Sequence, residues 1–246
     1  MSILITGGSK GIGRAIAEAF AGPDRTVLIN FRSDEAAAQA ALQAVTAQGA
    51  HGFLIQGDAG TPAGCAEIAG RAADLVDSLD ILVHCAVDAY ASAALEADAE
   101  RFARAAVTNG ASILFLVQAC LPILHRGSSV FFLSSRGSKV VVPRYAAIGA
   151  GKAMSECLVR YLATELAPRG IRINCLSPGI VETEAVRTLF GDQAPELVEH
   201  AAQSNPSGRG VQPQDYTALM RFLASDEAAY ITGQTIAING GANLMP

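Results

Sequence analysis

Short, almost wholly apolar runs alternate along this chain with longer segments whose apolar positions recur every three or four residues. Ser2–Thr6 (SILIT) and the runs at 26–30, 52–56, 80–85 (DILVHC), 128–134 (SSVFFLS), 171–176 (IRINCL) and Thr235–Ile238 predict strands. Runs apolar on both faces suit a parallel sheet covered on each side. Between them, helical periodicity predicts helices from Arg14 to Ala21, over 34–48, from Thr61-Pro62, over 98–124, 145–167 and 213–224, and more weakly over 182–204. Thr61 reads as an N-cap and Pro62 as the first helical residue. Pro168-Arg169-Gly170 ends the 145–167 helix. Asn109 falls inside the 98–124 helix, where asparagine is a poor interior residue, and marks a local kink. Strands alternating with helices predict an α/β protein: one doubly wound parallel sheet with helices on both faces. No linker or repeat divides the 246 residues, so one domain is expected over 1–246, with residues 182–210 as a substrate lid.

The turn after the first strand reads Gly7-Gly8-Ser9-Lys10-Gly11-Ile12-Gly13. Strand, glycine-rich turn and helix in that order form a phosphate cradle. Glycines let the backbone approach a pyrophosphate, whose charge sits at the helix N-terminus; the alternative is an ordinary strand-to-helix turn. After the second strand, an acidic residue would accept the ribose hydroxyls of NAD. The chain has Asn30-Phe31-Arg32-Ser33 there. Arg32 can grip a 2′-phosphate, with Lys10 reaching the same group, which points to NADPH. Two solvated surface cations are the plainer alternative. Asp58, in Gly57-Asp58-Ala59, is placed to accept from an adenine amino group, and Ser134, Ser135, Gly137 and Ser138 lie where open α/β sheets bind ligands.

Tyr145 and Lys152 stand seven residues apart on one predicted helix. Seven residues restore nearly the same face and advance about 10 Å, so both polar tips can reach one cavity. An ammonium beside the phenol is expected to lower its pKa. Alone, the pair reads equally as an interfacial tyrosine and a solvated lysine.

The composition, half hydrophobic and 17% charged, excludes disorder, and a net charge of −5 argues against nucleic acid. Five cysteines without a CxxC pair are expected to be reduced core residues of a cytoplasmic protein. No uninterrupted apolar run suits a membrane helix, and entry into a strand at Ser2 leaves no signal peptide expected. His51, His125 and His200 have no metal-ligand pattern around them, so no metal site is expected. His84, at a strand end, reads as a packed neutral imidazole.

With these residues in place, the chain resembles the short-chain dehydrogenase/reductase family over nearly its whole length. Thr6-Gly-Gly-Ser-Lys-Gly-Ile-Gly13, Asp58, Asn109, Ser135, Lys152, Pro178-Gly179 with Thr183, and Gly233-Gln234-Thr235…Gly240-Gly241 carry the resemblance. It implies a Rossmann-type subunit, a homotetramer, and hydride transfer from a nicotinamide cofactor. Gly7, Ser9, Lys10, Gly11, Ile12, Gly13, Arg32, Asp58, Ala59, Cys85, Ala86, Lys152, Pro178, Gly179, Ile180 and Thr183 are the implied cofactor contacts. Ile180 would meet the carboxamide through its backbone. Ser135 would line the substrate carbonyl site, and Asn109 would support a water relay behind Lys152.

Two departures refine the resemblance. The family's usual tyrosine sits four residues before the lysine, where this chain has Ile148, and its usual Asn-Asn-Ala-Gly is His84-Cys85-Ala86-Val87. A Tyr-x6-Lys spacing resembles the NADPH-dependent, ketoreductase-like enoyl-acyl-carrier-protein reductases, as does Asn205-Pro206-Ser207-Gly208-Arg209 after the 182–204 helical stretch of the lid. An enoyl thioester borne by acyl carrier protein or coenzyme A is then the implied substrate, with no membrane or nucleic acid as partner. A ketoreductase or alcohol dehydrogenase using a displaced Tyr145, and a catalytically silent NADPH-binding protein, are the alternatives.

Overall fold

A computed structural model describes residues 1–242 and Leu244; the rest of the 1–246 domain expectation lies outside the described residues. Seven parallel strands form one sheet in the order β3-β2-β1-β4-β5-β6-β7. They are β1 (Ser2–Thr6), β2 (Thr26–Phe31), β3 (His51–Gln56), β4 (Leu79–His84), β5 (Leu124–Leu133), β6 (Arg172–Pro178) and β7 (Thr235–Ile238). Each apolar run supplied one of them. Two cores cover the two sheet faces: Leu4, Leu28, Leu82, Val130 and Ile173 point to one, Ile3, Ile5, Val27, Ile29 and Val83 to the other. The strand order reverses between β1 and β4, so a crevice opens at their C-terminal ends.

Helices α1 (Gly11–Phe20), α2 (Glu35–Thr46) and α3 (Pro62–Ala73) follow the first three strands. Asp34 and Thr61 cap α2 and α3 by accepting from Ala37 N and Gly64 N. The expected 98–124 helix is shorter. It comprises α4 (Ala99–Ala106), a π-helical turn (Val107–Ala111) around Asn109, and α5 (Ser112–Cys120). Pro122 cannot continue a helix, and Leu124 already begins β5. By length and composition Ala99–Cys120 is apolar enough to cross a membrane. Here, however, Thr108, Asn109 and Ser112 are buried within the fold, as in a core helix.

Helix α6 (Ala146–Leu166) begins one residue later than expected, with Tyr145 as its N-cap. Met154, Leu158, Tyr161, Leu162 and Leu166 recur at helical spacing along α6, but only Leu162 and Leu166 are buried, with Leu158 partly buried against the same core. Met154 and Tyr161 are exposed, and the buried face carries Lys152, Ser155 and Glu156 among Ile148, Val159 and Leu162. Those polar groups tolerate burial because each finds a hydrogen-bond partner. The 182–210 segment, expected as a lid, contains two short helices, α7 (Glu184–Phe190) and α8 (Ala194–Gln203), broken at Gly191, whose φ is 55°. Helix α9 (Pro213–Ala224) covers α1.

Candidate active site

A cleft of about 640 Å³ lies along the C-terminal edges of β1, β2, β4, β5 and β6, roofed by α7. Its floor at one end is the glycine turn. A Cβ on Gly13 would stand 2.2 Å from the carbonyl oxygen of Gly7, and one on Gly7 would meet Ala86 Cα at 2.9 Å. The turn can pack this closely, and leave backbone facing the cleft, only without side chains. Helix α1 begins at Gly11 with no side-chain cap, so its first N–H groups remain for a ligand. Asn30 locks the surround: its amide donates to the carbonyls of Ile55 (3.0 Å) and Gly57 (3.1 Å) and accepts from Gly7 N (3.4 Å).

Gly7, Ser9, Lys10, Gly11, Ile12, Arg32, Asp58, Ala59, Cys85, Ala86, Lys152, Pro178, Gly179, Ile180 and Thr183 all line this cleft. Gly13 sits just behind it. Thr183 caps α7 and approaches Gly11 closely enough that a Cβ there would touch it at 3.0 Å. Asp58 Oδ1 accepts from Gly60 N at 2.9 Å. Arg32 is exposed and makes no ion pair among the described residues. Lys10 differs: its ammonium lies 2.5 Å from both Asp34 and Glu184, and these partners raise its pKa. It bridges the glycine turn, α2 and α7. A phosphate arriving beside Arg32 would compete with two carboxylates for Lys10.

At the other end of the cleft the Tyr145 hydroxyl donates to Ser135 Oγ at 3.2 Å. Gly137 N donates to the same oxygen at 3.1 Å. With both lone pairs of Ser135 engaged, its own proton is free to point into the cleft. Two hydroxyls this close can converge on one substrate oxygen. The tyrosine ring lies on Gly137, where a Cβ would come within 2.6 Å of its edge. Ile148, at the position of the usual tyrosine, is fully buried.

Lys152 is 5% exposed, and its ammonium donates to the carbonyl of Leu133 at 2.7 Å and stands 4.5 Å above the Phe132 ring. Burial pulls its pKa down to about 8, against the pull of Cys85, Cys175 and Glu156. The expectation that Lys152 depresses the Tyr145 pKa fails. Burial raises the phenol, and the opposing influences are the Ser135 hydrogen bond and the charge of Arg136. The lysine is drawn toward Leu133 instead.

Asn109 does not reach the cleft. Its amide donates to Ala105 O (2.8 Å) and Asp88 O (2.9 Å) and accepts from Asp88 N (3.3 Å). The side chain therefore fixes the wall after β4, where Val87, Asp88 and Ala89 line the cleft. Arg101 and Arg104 approach the Asp88 carboxylate. His84 is fully buried, with Nε2 2.7 Å from Ser112 Oγ and Nδ1 without a partner among the described residues. Burial and Lys152 push its pKa down to about 3, which keeps the imidazole neutral.

Cys65, Cys120 and Cys175 are buried free thiols, whereas Cys85 faces the cleft and Cys157 is half-buried. No cluster of three or more metal-ligating side chains occurs among the described residues. Sequence reasoning missed the apolar wall of Val142, Val186, Leu189 and Phe190, and Arg136 beside Ser135. It also missed Glu156, although its spacing of four from Lys152 was a usable signal.

A family model described as enoyl-(acyl carrier protein) reductase matches residues 7–243. The 1-cyclohexenylcarbonyl-CoA reductase of Streptomyces collinus is 29% identical over 242 residues, 98% of this chain and 86% of that one. The 3-oxoacyl-[acyl-carrier-protein] reductase of Staphylococcus aureus is 32% identical over 245 residues, 98% of this chain and 97% of its own. Among solved structures, the RhlG/NADP active-site complex of Pseudomonas aeruginosa is 30% identical and superposes with a TM-score of 0.87, covering 99% of this chain and 96% of that one.

Proposed function

The chain belongs to the short-chain dehydrogenase/reductase superfamily of oxidoreductases, and within it we propose an NADPH-dependent enoyl-thioester reductase. The observation that carries this reading is the displaced phenol: Tyr145, not position 148, presents a hydroxyl to the cleft beside Ser135. NADPH, when bound, supplies the hydride. The glycine turn and the open N-terminus of α1 suit its pyrophosphate, Arg32 its 2′-phosphate, and Lys152 its ribose hydroxyls.

Position follows from where charge develops. In a ketone, hydride goes to the carbonyl carbon, and the oxygen needing a proton is on that same carbon. In an enoyl thioester, hydride goes to the β-carbon, and charge appears on the thioester oxygen two carbons further along. An acid serving that oxygen belongs nearer the mouth of the cleft. Tyr145, one turn earlier than the usual tyrosine, is such an acid, and Ser135 is a second donor to the same oxygen. The raised phenol pKa keeps the proton in place until the enolate forms. Val142, Val186, Leu189 and Phe190 offer an apolar wall to the acyl chain.

The S. collinus relative, by its name, acts on a CoA thioester, which supports a thioester carried on CoA or acyl carrier protein. The S. aureus relative is named a ketoreductase, so carbonyl reduction through Tyr145 is the second reading. NADPH oxidation with crotonyl-thioester against acetoacetyl-thioester separates the two. Turnover of crotonyl-thioester alone is expected; turnover of acetoacetyl-thioester alone refutes the enoyl reading. Tight NADPH binding without either turnover indicates the silent binding protein.

A further inference from the structure

Glu156 is buried, 6% exposed, and its carboxylate makes no ion pair among the described residues, Arg160 reaching only its backbone carbonyl at 3.0 Å. It sits on α6 one turn after Lys152. Its Oε1 accepts from Ser134 Oγ at 2.5 Å and from Ser138 Oγ at 2.7 Å. Those serines bracket the turn that carries Ser135, Arg136 and Gly137. Ser134 donates to this oxygen, and the single Ser138 proton is shared between it and the carbonyl of Ser135 at 2.9 Å, so the oxygen faces hydroxyl donors, an arrangement suited to an ionised carboxylate. A buried charge with hydroxyl partners alone is costly unless the geometry it enforces is used.

The turn it grips is the one that aims the candidate donors. Ser135 Oγ accepts from Tyr145, Gly137 supports the tyrosine ring, and the carbonyl of Gly137 approaches Gly149, where a Cβ would clash at 2.6 Å. We propose that Glu156 is a positioning residue: through Ser134 and Ser138 its carboxylate fixes the 134–138 turn and thereby sets where Ser135 and Tyr145 point. The same negative charge sits beneath the Lys152 ammonium and helps keep it protonated. This rests on the reading of Ser135 and Tyr145 as donors to the substrate oxygen. The groups facing Lys152 are Cys85 and His84 from β4 and its end, Cys175 from β6 and Glu156 from α6.

Two substitutions separate shape from charge. Glu156→Gln keeps an acceptor for both serines and removes the charge; Glu156→Leu keeps the bulk and removes the acceptor. Glu156→Leu is expected to lower kcat by about 10²-fold, the scale of a 1 Å misplacement, with NADPH binding by fluorescence retained. Glu156→Gln is expected to stay within roughly threefold of wild-type kcat, the rescue that an acceptor role requires. If Glu156→Leu does not fold, Ser138→Ala removes one donor from a half-buried site and is expected to lower kcat about tenfold.

The charge is read without turnover. The chain has three lysines, Lys10, Lys139 and Lys152, so 13Cε-lysine labelling gives three signals, assigned with Lys10→Arg and Lys139→Arg. The Lys152 signal is expected to titrate near pH 8 in the wild type and at lower pH in Glu156→Gln. Wild-type kcat in Glu156→Leu or Ser138→Ala, or an unmoved Lys152 midpoint in Glu156→Gln, overturns the proposal. Kinetics are measured on whichever thioester the wild type reduces, so a ketone-only enzyme refutes the enoyl reading without touching this comparison.

Discussion

Acid is expected to unfold this protein through His84, and the size of the effect can be worked from the structure. Ser112 Oγ donates its proton to the carbonyl of Thr108 at 2.6 Å, so at the 2.7 Å contact His84 Nε2 must be the donor. The bare nitrogen is then Nδ1, which has no hydrogen-bond partner among the described residues. Protonation would place an N–H there without an acceptor, close to the Phe132 ring and in the field of Lys152. The folded pKa is accordingly about 3 against an ordinary 6.5. With the folded value depressed, the stabilising contribution is complete above pH 6.5 and is lost as pH falls toward 3. Each pH unit inside that window costs about 1.4 kcal/mol, so falling from 6.5 to 4.5 removes roughly 3 kcal/mol. That is a large part of the ~5–15 kcal/mol that holds a domain together.

The perturbation is His84→Asn, whose side-chain amide can still donate to Ser112 but does not titrate. Urea denaturation of both chains at fixed protein concentration between pH 7 and 4.5 isolates the imidazole from the carboxylates they share. The wild type is expected to lose about 3 kcal/mol more than the variant over that range. Parallel loss in the two chains would refute the buried, neutral assignment.

The cofactor prediction is that Arg32→Ala weakens NADPH by about 1.5–3 kcal/mol and leaves NADH nearly unchanged, measured by fluorescence titration. Asp34→Asn keeps the α2 cap but releases Lys10 from one partner, and should tighten NADPH roughly 2–5-fold at low salt. Tyr145→Phe should fold, bind NADPH and lose about 10²–10³-fold in kcat on the preferred thioester. Adding Ile148→Tyr should not restore enoyl reduction, and because Ile148 is fully buried the extra bulk should cost about 1–3 kcal/mol in denaturation. Finally, Met154 and Tyr161, exposed on α6, should be covered in a homotetramer; light scattering at micromolar concentration should give four subunits, and a monomer would contradict it.

The strands were legible because a parallel strand covered on both faces announces itself as an apolar run, and the ends of β1, β7 and α9 agree with those runs and with Pro213. The glycine turn was legible because its spacing encodes its own geometry. Helix ends inside apolar sequence were harder: between Leu116 and Leu124 hydropathy is continuous, and only Pro122 tells where the chain turns. The inward face of α6 is not legible from periodicity, which ranks residues by polarity, whereas burial of Lys152, Ser155 and Glu156 depends on partners distant in sequence. Leu133 lies 19 residues from Lys152, and Asn109 lies 46 from Ser155. The displaced tyrosine could be read from spacing alone, but not the reason its pKa rises, which lies in how the 135–145 segment folds over it.

The π-helical turn at Val107–Ala111 has a consequence for how this chain tolerates change. It holds one residue more than the α-helical count, and α4 and α5 meet across it at a shifted rotation. Deleting one codon there would let 99–119 wind as a single regular helix with every internal hydrogen bond made. It would also turn α4 by about 100° relative to α5. Asn109 would swing away from Asp88, the two arginines of α4 would leave that carboxylate, and the wall after β4 would lose its anchor. Gly110 and Gly151, now close enough that a Cβ on the first would meet the second at 3.0 Å, would no longer interlock. Point substitutions on the outer surface of this helix should therefore pass almost unnoticed. A one-residue gap, which leaves the helix more regular than before, should abolish the cleft.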